Sequence, residues 1–167
     1  MREGLTPLME SNRDDWETPQ ELFEALDGEF GFTHDAAANA QNAKVDIFYG
    51  PGSPLAEDAL AIDWEGRVWC NPPYGRLVDA LIAKAKAGIL EHRVETAVFL
   101  LPARTDTKWF HSLLGFGAEI RFLKGRLKFE LNGQPITDTS GHAVGAPFPS
   151  LIAVLKPLNN QWSVVNA

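Results

Sequence analysis

Residues 67–102 read RVWC-NPPYG-RLVDALIAKAKAGILEHRVE-TAVFLL-P. Arg67 to Cys70 predicts a short strand. From about Leu77 to Glu91 the apolar residues Leu77, Leu81, Ile82, Ala85 and Ile89 recur at helical spacing, so one face of a helix points inward. Thr96 to Leu101 is a continuous apolar run of the kind buried on both faces of a parallel sheet, and Pro102 ends it. Strand, helix and buried strand in this order imply an α/β fold. The connection Asn71-Pro72-Pro73-Tyr74-Gly75 is chemically unusual. Its prolines fix φ near roughly −65° and remove two backbone donors. Asn71 and Pro72 each precede a proline and are held extended. A stiff loop at a strand end then carries an amide and an aromatic ring. It suits a planar substrate with an exocyclic NH₂: Asn71 Oδ1 and the Pro72 carbonyl accept its two hydrogens, and Tyr74 stacks on the ring. An ordinary strand-ending turn fits the same residues.

Outward from this unit, Thr18-Pro19-Gln20-Glu21 is a helix start, with Thr18 as N-cap and Pro19 at the first helical position. Leu22, Phe23, Leu26 and Phe30 follow at helical spacing through about Glu29. Gly31 to Asp35 is extended and enters a small-residue turn, Ala36-Ala37-Ala38-Asn39. Residues 48–54 look loop-like, and Leu55 to Ala61 suit one or two helical turns. Residues 106–115 predict a helix packed through Trp109, Phe110, Leu113 and Leu114. Strands are expected at Glu119–Leu123, Arg126–Leu131, Ser150–Leu155 and Trp162–Val165, with Asn132-Gly133 as a hairpin turn. The whole predicts a three-layer α/β sandwich with a mixed, mostly parallel sheet. Residues 1–15 read as a flexible arm and 16–167 as one domain.

The 167 residues, 45% apolar and 22% charged, suit a single globular domain. No apolar run approaches the ~20 residues of a membrane span. The single cysteine, Cys70, excludes an internal disulfide, and with four scattered histidines it gives no zinc spacing. A cytoplasmic, monomeric protein without a metal is expected. Net charge is −7, but it is unevenly spread. Residues 1–66 hold 3 basic and 15 acidic side chains, whereas residues 67–167 hold 12 basic and 7 acidic. Residues 104–128 alone contain Arg104, Lys108, Arg121, Lys124, Arg126 and Lys128 against Asp106 and Glu119. Such asymmetry offers one face to a polyanion; a solvated mixed surface is the alternative.

Open α/β sheets bind ligands beyond the carboxyl ends of their strands. Asp35 after the first strand and Asn71 after a later one stand at such edges. Asp63, one short strand before Asn71, is a candidate acceptor for an adenine amino group, with Trp64 against the ring. Asp35 suits ribose hydroxyls or a sulfonium. Simple turn and cap roles for these two aspartates fit equally well.

Trp16-x-Thr18-Pro19, Asp35-Ala36-Ala37, Asp63-Trp64, Asn71-Pro72-Pro73-Tyr74, Leu101-Pro102-Ala103-x-Thr105-Asp106-Thr107-x-Trp109-Phe110 and Gly125-Arg126-Leu127-x-Phe129 together resemble the phage-type Dam family of DNA adenine-N6 methyltransferases. The resemblance spans about Trp16 to Leu155. It implies a Rossmann-like methyltransferase sandwich, S-adenosylmethionine as cofactor and double-stranded DNA as partner. By the same resemblance Asn71, Pro72, Pro73 and Tyr74 are catalytic. Trp16, Thr18, Pro19, Asp35, Ala36, Asp63 and Trp64 are expected to bind the cofactor. Arg104, Thr105, Lys108, Lys124 and Arg126 are candidate DNA contacts, Arg126 being equally suited to a structural ion pair. Two departures stand out. Ala36-Ala37-Ala38 replaces the glycine-rich turn common in such enzymes, and no separate recognition domain is expected, so loops 102–109 and 124–146 would read sequence. Methylation of RNA or of a protein glutamine amide, or a silent DNA-binding relic, are the competing readings.

Overall fold

In the computed structural model, which describes residues 16–158, the strand β4 (Val94–Pro102) is buried over its last six residues. Its side chains alternate between two separate cores. Ala97, Phe99 and Leu101 join one, with Val68 and Cys70 of β3 (Gly66–Cys70) and Leu151, Ala153 and Leu155 of β8 (Ser150–Leu155). Val98 and Leu100 join the other, with Trp69, Ile152 and Val154. Period-two alternation therefore feeds both sheet faces, which is why these strands read as unbroken apolar runs.

β1 (His34–Asp35), β2 (Ile47–Phe48) and β5 (Glu119–Phe122) complete a six-stranded sheet of order β2-β1-β3-β4-β8-β5. The pairs β2–β1, β1–β3 and β3–β4 are parallel, and β8 runs antiparallel to both β4 and β5. The expected mixed α/β sheet is thus present. A separate hairpin, β6 (Glu130–Leu131) and β7 (Gln134–Pro135), turns through Asn132 and Gly133, both with positive φ, as the Asn-Gly signal foretold.

Three helices are described: α1 (Gln20–Phe30), α2 (Leu77–Leu90) and α3 (Lys108–Phe116). α1 buries Phe23, Leu26 and Phe30 in the Trp69 core, and α2 buries Leu81, Ile82, Ala85 and Ile89 in the other. None of the described helices is long and apolar enough to cross a membrane.

Several local expectations need correction. Pro19, not Thr18, is the N-cap of α1, without a side-chain cap bond; the Gln20 amide instead donates to Glu130 Oε1 at 3.3 Å. The supporting carboxylate comes from the hairpin, 110 residues away. Leu77 and Leu114 are exposed rather than inward. No helix forms over Leu55–Ala61, and β2 (Ile47–Phe48) takes in Phe48, the first residue of the expected loop. The strand over Arg126–Leu131 shrinks to Glu130–Leu131. The arm over 1–15 and the strand over Trp162–Val165 lie outside the described residues.

Candidate functional site

The carboxyl ends of β1 and β3 lie side by side, with Asp35 in register with Trp69. Asn71 follows two residues after Trp69, so the parallel pairing brings Asp35 and Asn71 to one edge. Trp16, Thr18, Asp35, Asn71 and Pro73 all line a small cavity of about 40 Å³ there. A larger cavity of about 350 Å³ shares Ala37, Asn42 and Pro73 with it. Its further lining includes Ala36, Gly50, Glu57, Asp58 and Leu77.

The alanine turn after β1 does without glycines because side chains hold it. Asp35 Oδ1 accepts from the Ala37 amide at 3.4 Å, and Oδ2 from the Lys44 amide at 3.0 Å. Asn39 Oδ1 accepts from the Gln41 and Asn42 amides, while Asn42 Oδ1 accepts from the Asn39 amide. Asparagine and aspartate here replace the ladder with local side-chain bonds. The glycine the site does need is Gly50, after β2. Its φ is +144°, and a Cβ there would stand 1.8 Å from the Ala38 carbonyl oxygen. Backbone packed against backbone forms this wall of the larger cavity.

Asp35 is only 3% exposed. Burial raises its pKa from 3.8 to about 6, against the opposing pull of the Lys44 and Ala37 amides and the Lys44 charge. A carboxylate held this way gains from a cationic ligand, since the cation restores what water no longer supplies.

Asn71 Nδ2 donates to the Trp16 carbonyl at 3.3 Å. The amide is thereby oriented, and its Oδ1 is left as an acceptor. Pro72 is buried beside it. The Tyr74 ring meets Phe148 edge-on at 5.4 Å between centroids, and Phe148 stacks on Trp16 at 6.2 Å. Burial pushes the Tyr74 phenol upward, partly offset by the Arg104 charge. Arg104 therefore lies within electrostatic reach of the loop.

Not every expected residue reaches this edge. Asp63 precedes β3 and sits at the opposite, amino-terminal edge, exposed and paired with Lys84 at 3.9 Å and Arg93 at 3.8 Å. Trp64 is fully buried in the core, with its indole donating to the Ala59 carbonyl. The intervening strand carries the chain from one edge of the sheet to the other, so nearness to Asn71 in sequence does not bring Asp63 and Trp64 to the cavities. The acidic residues that line the larger cavity are Glu57 and Asp58. Residues 40–61 show no periodicity and β2 is not legible there, so no sequence signal marks these two residues. Leu77 lies on the apolar helical stripe, which reads as core, but at the first turn it sits over the cavity instead.

The candidate DNA contacts gather on the same edge as Asn71. Arg104 and Thr105 lie in the loop leaving β4, and Lys108 opens α3, whose Thr107 cap accepts from the Phe110 amide. Lys124 and Arg126 lie in the excursion between the end of β5 and the start of β8, which β5–β8 pairing places at that edge. All five are exposed. Among the described residues, the ion pairs do not include Arg104, Lys108, Lys124 or Arg126.

Two comparisons bear on this arrangement. Residues 6–167 match the model of a family described as DNA N-6-adenine-methyltransferase (Dam). A DNA N-6-adenine-methyltransferase of Escherichia phage T1 is 34% identical over 125 residues, which make up 72% of this chain and 49% of the relative. The chain thus matches about half the length of that curated relative.

Proposed function

Because the chain belongs to the DNA N-6-adenine-methyltransferase (Dam) family, we propose that it methylates N6 of adenine in DNA, with S-adenosylmethionine as the donor. The observation that carries this reading is the amide of Asn71, turned by the Trp16 carbonyl beside a buried carboxylate. The six-stranded sheet with a separate core on each face fits a three-layer, Rossmann-like sandwich. We read residues 16–167 as a single domain, working as a monomer in the cytoplasm.

The lining chemistry fits the donor. Apolar walls at Ala36, Pro73 and Leu77 suit a purine, and Glu57 and Asp58 suit amino and hydroxyl hydrogens. Asp35, with Thr18 and Trp16, holds the cationic end. When bound, S-adenosylmethionine supplies a methyl group on a positively charged sulfur. Pro19 fixes the backbone that leads Thr18 into α1.

An adenine inside a duplex keeps its N6 out of reach, so the base must leave the stack at a cost of a few kcal/mol. Tyr74, with Phe148 behind it, offers an aromatic surface worth roughly 1–3 kcal/mol for a stacked base. Asn71 Oδ1 and the Pro72 carbonyl accept the two N6 hydrogens and leave the nitrogen lone pair directed at the methyl group. Positive charge grows on that nitrogen as it takes the methyl group; the bonding pair stays with the sulfur, now a neutral thioether, and one N6 proton then passes to solvent. Both acceptors therefore stabilise the transition state more than the ground state. Arg104, Lys108, Lys124 and Arg126 supply phosphate contacts, with Thr105 as a neutral one.

Incubation with radiolabelled donor and unmethylated plasmid, RNA or protein tests the assignment. Label in plasmid that maps to N6 of adenine is expected. Label only in RNA or protein, or none in any of the three, overturns it.

A further inference from the structure

Two glutamates on segments far apart in sequence exchange carboxylates across the edge of the site. Glu17 accepts from the Asn132 amide at 3.1 Å through Oε1 and from the Gly133 amide at 3.0 Å through Oε2. Glu130 Oε1 accepts from the Gln20 amide, at the start of α1. Between these carboxylates the backbones pair twice, Glu17 N to Glu130 O at 2.9 Å and Glu130 N to Glu17 O at 3.0 Å. The residue before this bridge is Trp16, whose carbonyl receives the Asn71 side chain. Trp16 also packs its ring on Phe129, the residue before Glu130, at 5.2 Å.

We infer that Glu17 is a positioning residue for Asn71, acting through the hairpin and the Trp16 carbonyl. This rests on the methyl-transfer reading of Asn71. The turn it grips joins β6 to β7, and there Asn132 is a non-glycine residue with φ of +52°. A carboxylate spanning both turn amides satisfies two donors with one side chain and favours a single hairpin register. The bridge Glu17–Glu130 inherits that register, and the Trp16 carbonyl is set by the bridge. A displaced carbonyl lets the Asn71 amide rotate, and its Oδ1 then no longer faces the amino group it must accept from. A misplaced acceptor costs rate.

A double-mutant cycle isolates the route. The Asn71→Asp substitution keeps an acceptor oxygen but has no N–H to give the Trp16 carbonyl, so it cuts the link. Single-turnover methylation at saturating donor and DNA is measured for the wild type, Glu17→Ala, Asn71→Asp and the pair. Glu17→Ala is expected to slow the wild type about tenfold, and the Asn71→Asp background by less than about twofold. Glu17→Gln, whose single carbonyl oxygen accepts from only one of the two turn amides, is expected to recover part of the rate. Equal slowing in both backgrounds overturns the inference. A second readout needs no activity: the side-chain amide resonances of Asn71 in ¹⁵N-labelled protein. Glu17→Ala should move them toward solvent-exposed positions, and unmoved resonances overturn the inference even if the DNA assay fails for other reasons.

Discussion

Replacing Asp35 with asparagine should stabilise the protein at alkaline pH and weaken donor binding. Moving its carboxyl from 3.8 to about 6 corresponds to about 3 kcal/mol between its two protonation states. The folded-state pKa lies above the unfolded one, so the favourable contribution is complete below 3.8 and is lost as pH rises through 6. At pH 8 the folded protein therefore carries a buried charge that Asp35→Asn removes. The gain is smaller than the full figure, because an amide oxygen serves only one of the Ala37 and Lys44 amides; about 1 kcal/mol is lost with the other. Urea melts of both proteins from pH 4 to 8 should show the variant more stable by about 1–2 kcal/mol at pH 8, with that advantage gone near pH 4. For the donor the sign reverses. A cationic group next to Asp35 favours the ionised form, so affinity should rise with pH up to about 6 and flatten above it. Calorimetry in buffers of different ionisation heat should detect proton release on binding at pH 5. If the two proteins differ equally at every pH, the carboxyl does not titrate as argued.

Gly50→Ala should distort the wall of the larger cavity, since its Cβ meets the Ala38 carbonyl oxygen at 1.8 Å; donor affinity measured by fluorescence or calorimetry should fall by at least about tenfold. Asn71→Ala should lower single-turnover rate by roughly 10²–10³-fold while donor affinity changes little. Asp58→Ala should weaken donor binding by about tenfold, whereas Asp63→Ala, at an exposed ion pair on the far edge, should leave it within about twofold. Arg104→Ala and Arg126→Ala should each lower the slope of log affinity against log salt by about one, as loss of a phosphate contact requires.

Strand and helix order between Gly66 and Leu155 was legible because burial on two faces writes long apolar runs into the sequence. The Asn71–Tyr74 loop was legible because two prolines dictate its backbone whatever surrounds it. Residues 40–61 were not legible. Asn39, Asn42 and Asp35 side chains bond to backbone amides up to Lys44, Ser53 and Asp58 side chains to those of Leu55, Ala56 and Leu60, and such bonds leave no period. The same stretch carries Glu57 and Asp58 to the cavity.

Local chemistry, then, was settled by the chain itself: a rigid amide-bearing loop, an acidic strand end, and a basic second half. Which of these groups meet was decided only by the tertiary structure. Parallel register put Asp35 beside Asn71 and carried Asp63 to the opposite edge, and a hairpin over a hundred residues away fixed the carbonyl that turns the Asn71 amide. Contacts between distant segments depend on strand order and direction, and those follow from how both sheet faces are covered at once, which a single stretch of sequence does not encode.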